Sequence, residues 1–149
     1  MVRTPIVAYT DGACKGNPGP GGWASILKFG EHEKELTGSA FRTTNNKMEL
    51  TAVIETVLAC KRPCAIHIVT DSTYVMSKKH KKNRELWARL DKAVKDGNHS
   101  LTFEHVYGHS GHRMNERCDR LASKAASDAY YDYVFEMNNE FELDIPEPW

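Results

Sequence analysis

The run Ile6-Val7-Ala8-Tyr9 is apolar without a break, the pattern of a strand buried on both faces. Two further strand-like runs, Trp23 to Phe29 and Glu33 to Ala40, are joined by a turn at Gly30-Glu31-His32. Between the first two runs stand Gly12, Gly16, Pro18, Gly19, Pro20, Gly21 and Gly22, a density of turn formers that predicts an irregular loop. The period then changes. Ala52, Val53, Val57 and Leu58 recur at helical spacing, Asn46 stands where it can cap that helix, and Pro63 ends it. Ala65 to Thr70 predicts a fourth strand, and Ser72 a cap for a short helix containing Tyr74, Val75 and Met76. Leu86, Leu90 and Val94, with Trp87 beside them, mark a helix that Gly97 ends; Leu101 to Tyr107 reads as a fifth strand. Leu121, Ala122, Ala125 and Ala126 place a last helix from Asn115 to about Ala129. The aromatic and acidic tail beyond it can extend this helix up to the breaks at Pro146 and Pro148.

The order β-β-β-α-β-α-α-β-α predicts the α/β class, a five-stranded mixed sheet flanked by helices. A chain of 149 residues is long enough for one domain with a real core. Residues 1–129 read as that domain and 130–149 as an acidic C-terminal extension. The chain has no apolar run near 18 residues and no signal-like segment at its start, so no membrane is expected and a cytoplasmic location is. Cys14, Cys60, Cys64 and Cys118 lack the rhythm of a zinc site and read as reduced thiols; Cys60 and Cys64 alone make only half of one.

Charge changes the picture more than composition does. The formal net charge is zero, but all 20 Lys and Arg lie in residues 1–127, where they outnumber the acids by seven. Residues 128–149 carry seven acids and no Lys or Arg. A basic body suits a polyanion, and an acidic tail can contact that body or engage a protein partner weakly; an ordinary mixed surface with a solvated tail fits the same counts. The chain is otherwise expected to be a monomer.

Four carboxylates are the candidate chemistry: Asp11, Glu49, Asp71 and Asp119. Asp11 is expected to end the first strand and Asp71 the fourth, so neighbouring strands would bring them together at the C-terminal edge of the sheet. Glu49 falls in the first turn of its helix, where it also fits a capping box with Asn46. Asp119 falls one turn into the last helix, where the helix dipole alone would favour it. Four carboxylates in one cleft repel each other unless divalent cations fill it. Hard oxygen ligands favour Mg²⁺, with Mn²⁺ as a substitute, and that is the chemistry of phosphodiester cleavage.

The segments around these acids are distinctive. Tyr9-Thr10-Asp11-Gly12-Ala13-Cys14-Lys15-Gly16-Asn17-Pro18-Gly19-Pro20-Gly21-Gly22-Trp23 resembles the opening of the bacterial-type (type 1) ribonuclease H family. Thr43-Thr44-Asn45-Asn46-Lys47-Met48-Glu49-Leu50, Thr70-Asp71-Ser72 and Gly108-His109-Ser110-Gly111-His112 with Asn115-Glu116-Arg117-Cys118-Asp119 are similar to its later motifs, in family order. The resemblance implies a ribonuclease H-like fold and an endonuclease that cuts the RNA strand of an RNA–DNA hybrid, leaving a 5′-phosphate and a 3′-hydroxyl. It implies two Mg²⁺ ions, with Asp11 shared, Asp119 completing the ion that activates water, and Glu49 and Asp71 completing the ion at the leaving oxygen. It gives His109 a part in proton transfer or product release, with His112 as a residue that fixes the loop. It implies hybrid contacts from Cys14, Asn17, Thr44, Asn45, Asn46, Thr73 and Asn115, including recognition of the ribose 2′-hydroxyl.

Departures from the family pattern bear on substrate grip. Thr73 stands where Gln is common. Where relatives insert a long basic protrusion, this chain has only Lys78-Lys79-His80-Lys81-Lys82-Asn83-Arg84. Its cations can meet phosphates or simply form a solvated connector, so weaker and steeply salt-sensitive hybrid binding is expected. The alternatives are a binding module without catalysis, a domain cut from a reverse transcriptase, and a relative that acts on DNA. The intact carboxylate set argues against the first and the complete motifs against the second. The Gly-Asn-Pro-Gly loop with the Asn45-Asn46 pair argues against the third.

Overall fold

A computed structural model describes residues 2–77, 82–107 and 112–142, with side chains described as far as Met137. Its elements are β1 (Thr4–Cys14), β2 (Gly19–Phe29), β3 (His32–Thr43), α1 (Asn45–Ala59), β4 (Cys64–Thr70), α2 (Thr73–Ser77), α3 (Arg84–Asp96), β5 (Ser100–His105) and α4 (Arg113–Glu142). The five strands form one sheet in the order β3-β2-β1-β4-β5. β1, β2 and β3 pair antiparallel, whereas β4 joins β1, and β5 joins β4, in parallel. This is the mixed, helix-flanked sheet that the element order predicts. No helix among the described residues is long and apolar enough to cross a membrane.

Two cores lie on opposite faces of the sheet. The larger joins Ala8, Ile66 and Ile68 of the sheet to Leu50, Val53, Ile54 and Val57 of α1 and to Trp87 and Leu90 of α3. The smaller joins Ala24 and Ile26 to Cys118 and Ala122 of α4. Alternation explains the division: Ala8 and Tyr9 are successive residues of β1, so their side chains leave opposite faces. At the edge remote from the C-terminal ends of β1 and β4, buried His99 accepts a hydrogen bond at Nδ1 from the Cys64 N–H, 3.0 Å away. Arg3 donates to the Asn98 carbonyl (2.9 Å) and to Asn98 Oδ1 (3.1 Å), tying β1 to the turn before β5.

The structure corrects several local expectations. The Gly-rich stretch is largely strand: β1 runs on through Gly12 to Cys14, and β2 begins at Gly19, with Ala13 opposite Gly22 and Cys14 opposite Gly21. These glycines serve close approach. A Cβ on Gly12 would lie 2.4 Å from the Glu49 nitrogen, and one on Gly22 would lie 2.4 Å from the Ala126 nitrogen, so two helix backbones rest directly on strand backbone. The cap of α1 is Thr44, whose Oγ1 accepts from the Lys47 N–H at 3.2 Å; Asn46 already lies inside the helix. That leaves Lys47, not Glu49, at the third helical position, so Glu49 has no capping-box role. Ser72 does cap α2, accepting from the Val75 N–H at 3.1 Å. The last helix starts two residues earlier than predicted and runs on to Glu142, because neither Gly nor Pro interrupts residues 113–142. Asp119 therefore sits nearly two turns in, beyond the main reach of the helix terminus. The fifth strand stops at His105, after which the Val106 N–H donates to the Thr70 carbonyl.

Candidate active site

Register brings Asp11 and Asp71 together. The last parallel pair of β1 and β4 is Tyr9 with Val69, and two further residues along each chain stand Asp11 and Asp71. Asp71 directly follows the end of β4, as predicted. Asp11 does not end its strand: β1 has left β4 but continues against β2, with Asp11 opposite Ala24. Both carboxylates lie at the C-terminal edge of the parallel pair, where α/β sheets commonly build sites.

Glu49 arrives from α1, whose first turn can settle on β1 only because Gly12 has no side chain. Its Oε2 accepts a hydrogen bond from Ser72 Oγ at 2.5 Å, so one hydroxyl both holds Glu49 and caps α2. Ligand oxygens of Asp11, Glu49 and Asp71 lie within 4.8 Å of one another. Asp119 stands outside that trio, exposed on α4, yet close enough to Asp11 to perturb it. Its neighbours in sequence anchor the helix on either side. Cys118 Sγ donates to the carbonyls of Tyr9 (3.2 Å) and Ala24 (3.3 Å). Arg117 reaches the other way to β3, pairing with Glu33 at 2.8 Å and with Glu35.

The electrostatics without a cation are adverse. Burial, the nearby Asp71 charge and contact with Asp119 push Asp11 up to about 9, against one favourable bond from the Gly12 N–H. Burial pushes Glu49 up to about 7 and Asp71 adds to this, while the Ser72 hydroxyl opposes it. Asp11 is 4% exposed and its Oδ2 is buried without a hydrogen-bond partner. A buried, unpartnered carboxylate oxygen facing two further carboxylates fits a hard divalent cation. Asp11, Glu49 and Asp71 could hold it, with Asp119 beside them.

The cleft around these acids is also lined by Gly12, Ala13, Cys14, Asn45, Asn46, Ser72, Thr73 and Tyr74. Of the predicted substrate contacts it therefore brings together Cys14, Asn45, Asn46 and Thr73. Asn17 stands behind them, its Oδ1 accepting from the Asn45 N–H at 3.2 Å. Thr44 is occupied as the helix cap. Asn115 is buried and does not line the cleft. Cys14 Sγ donates to the Gly19 and Thr43 carbonyls, joining the three strand ends that border the cleft. All four cysteines are free thiols. His109 and the connector residues 78–81 lie outside the described residues; His112 is described, with its Nδ1 accepting from the Asn115 N–H at 3.4 Å. The sequence reading missed Tyr74 and the second role of Ser72. The Thr70-Asp71-Ser72 adjacency was their only signal, and a hydroxyl that looks like a cap does not disclose a distant acceptor.

Known proteins bear out this architecture. A ribonuclease H from Neisseria meningitidis is 46% identical over 142 residues, covering 83% of this chain and 97% of the relative. One from Cupriavidus metallidurans is 48% identical, covering 82% and 95%. Among solved structures, LC9-RNase H1, described as a type 1 RNase H with the type 2 active-site motif, superposes with a TM-score of 0.76 at 25% identity, over 87% of this chain and 75% of its own. LC11-RNase H1, solved in complex with an RNA/DNA hybrid, shares the fold with a TM-score of 0.71 at 24% identity, over 84% of this chain and 99% of its own. Similarity to these ribonucleases over four-fifths of the chain makes it a nuclease enzyme of the α/β class. The chain belongs to the ribonuclease H family, whose pattern matches residues 3–127. The 142 aligned positions of the Neisseria relative exceed the 83% of this chain that they cover, so the relative has residues that this chain lacks.

Proposed function

We propose that this chain hydrolyses the RNA strand of RNA–DNA hybrids endonucleolytically, using two Mg²⁺ ions and leaving 5′-phosphate and 3′-hydroxyl ends. The observation that carries this reading is the trio Asp11, Glu49 and Asp71 within 4.8 Å, with Asp119 adjoining Asp11. In this assignment Asp11, Glu49, Asp71 and Asp119 would hold the ions, with Asp11 common to both, Asp119 serving activation of water, and Glu49 and Asp71 serving departure of the 3′ oxygen. When bound, the ions supply Lewis-acid activation of water and stabilisation of the leaving oxygen, with Mn²⁺ able to substitute. Ser72 holds Glu49 in place throughout. His109, from its Gly-flanked sequence context, carries a proton or assists product release.

Hybrid recognition is assigned to the rim. Cys14, Asn45, Asn46 and Thr73 face the cleft, Asn17 and Thr44 support the start of α1 behind it, and Asn115 is assigned to the set from its motif alone. Backbone at Gly12 and Ala13 lines the same cleft, so strand backbone is available to a ribose 2′-hydroxyl. The hybrid bound by LC11-RNase H1 agrees with this choice of substrate at the level of the fold. Residues 1–129 form the catalytic unit, residues 130–149 the extension, and the cytoplasm is the proposed compartment. Every proposed carboxylate comes from one chain, so a monomer suffices for catalysis. End-group analysis of a cleaved, internally labelled hybrid tests the chemistry: 5′-phosphate and 3′-hydroxyl products are expected, and 2′,3′-cyclic phosphate products would contradict it.

A further inference from the structure

The three clustered carboxylates are not held alike. Asp11 Oδ1 accepts from the Gly12 N–H at 2.9 Å, and Glu49 Oε2 accepts from Ser72 Oγ at 2.5 Å. For Asp71, among the described residues, the side-chain hydrogen bond it receives reaches its main-chain carbonyl and not its carboxylate. That bond comes from His105, the last residue of β5.

The sheet explains why a side chain is needed there. β5 keeps parallel register with β4 up to the pair Thr70 and His105. The Val106 N–H then donates to the Thr70 carbonyl at 2.9 Å. One residue further along, at Asp71, the pairing has stopped. His105 Nε2 lies 3.2 Å from the Asp71 carbonyl oxygen. A carbonyl can only accept, so Nε2 carries the proton and donates. Tyr107 meets the imidazole edge-on, with ring centroids 5.1 Å apart and planes at 90°, which orients the ring.

The peptide held in this way is a particular one. Its plane joins the Cα atoms of Asp71 and Ser72. From one springs a carboxylate of the trio, and from the other the hydroxyl that holds Glu49. The Ser72 N–H of the same peptide donates to Thr70 Oγ1 at 3.0 Å, so both of its polar groups are tied. A histidine that only satisfied a strand end would matter for stability alone. This one fixes the origin of two side chains that must converge with Asp11.

We propose that His105 is a positioning residue of the acidic site: by holding the Asp71–Ser72 peptide it sets the Asp71 carboxylate directly and that of Glu49 through Ser72, and so tunes the affinity of the trio for its divalent cation. The inference rests on the metal-dependent reading above. It assigns His105 a donor's part, with no contact to the hybrid, in keeping with its absence from the cleft lining.

Titration of the metal-free full chain with Mg²⁺, followed by amide chemical shifts, reads the affinity without cleavage. His105→Phe keeps a ring and loses the donor; it should weaken Mg²⁺ binding about tenfold. His105→Gln retains a donor and should stay within about threefold of the parent. Hybrid cleavage by His105→Phe should return at high Mg²⁺ with KM for the hybrid unchanged. In the parent, imidazole ¹⁵N shifts in mildly alkaline buffer should show His105 as the Nε2–H tautomer, a result that needs no variant to fold. Parent-like Mg²⁺ binding by His105→Phe, with only a lower melting temperature, would overturn the proposal. So would a His105→Gln as weak as His105→Phe, or the Nδ1–H tautomer in the parent. A parent that binds no Mg²⁺, or binds it equally well after Asp11→Asn, would overturn the metal-dependent reading itself and this inference with it.

Discussion

Asp11 concentrates the adverse electrostatics of the site in one residue. Buried, with one oxygen unpartnered, it faces Asp71 and Asp119. Asp11→Asn removes the cost of burying that carboxylate, or of protonating it, without changing shape. The cation-free variant should unfold at a higher temperature than the cation-free parent, by a few degrees for each ~1 kcal/mol gained. It should also lose hydrolysis of a labelled hybrid, and lose the Mg²⁺-induced rise in melting temperature expected of the parent. A variant that melts lower, or that still responds to Mg²⁺, would count against the assigned role. Ser72 makes a complementary case. Ser72→Ala removes both the bond to Glu49 and the cap of α2, so a loss of about 1–2 kcal/mol is expected. The half-saturating Mg²⁺ concentration should rise as well. Thermal melting and a metal titration separate these effects, since a cap alone would leave metal dependence untouched.

At the scale of elements, the seating of helices on glycines decides where the acids meet. Gly22→Ala places a methyl 2.4 Å from the Ala126 nitrogen, where only backbone can give way. A loss of about 1–3 kcal/mol or more is expected in denaturant melts, along with a displaced α4 and reduced activity. His99 governs the other end of the sheet. Burial, and then the charge of Arg3, depress its pKa below 6.5. The unfolded chain thus binds this proton more readily than the native one. Its stabilising share is intact above about pH 6.5 and is lost as pH falls through that value toward the depressed native pKa. Urea melts should show this acid-side loss, and His99→Ala should flatten it while costing about 1–3 kcal/mol near neutral pH through the unpartnered Cys64 N–H. An unchanged slope in the variant would assign the acid lability to other groups.

Much of this arrangement was legible in the chain. The apolar runs located all five strands, and the spacing of Asp11, Glu49, Asp71 and Asp119 within their motifs named the acids that the fold collects. What escaped the sequence had identifiable physical causes. Glycine signals both turns and close backbone contact, so Gly12 and Gly19 to Gly22 were read as loop when they are strand beneath helices. Thr44 and Asn46 are both good caps, and only the helix start decides between them. The length of α4 was visible only as a lack of breakers, because its described side chains beyond Ala129 are exposed or half-buried and impose no apolar pattern.

The whole molecule combines a basic body, an acidic helix and a short basic connector between α2 and α3. Where cations of the body and connector meet hybrid phosphates, binding should fall with salt, about tenfold or more between 50 and 200 mM, more steeply the more phosphates are neutralised. Equilibrium binding to a hybrid in Ca²⁺, over a salt series, measures that slope, and a flat response would show that phosphate contacts do not dominate the affinity. The central claim is that a cation-dependent acidic cleft cuts RNA paired to DNA. Its most direct test is one assay: cleavage of sequence-matched hybrid, double-stranded RNA and double-stranded DNA across a Mg²⁺ titration from chelated to millimolar, with Asp11→Asn in parallel. Cleavage of the RNA strand of the hybrid alone, rising with Mg²⁺ and absent in Asp11→Asn, is the predicted result. Cleavage that persists under chelation or in Asp11→Asn, or that proceeds equally on all three duplexes, would contradict it.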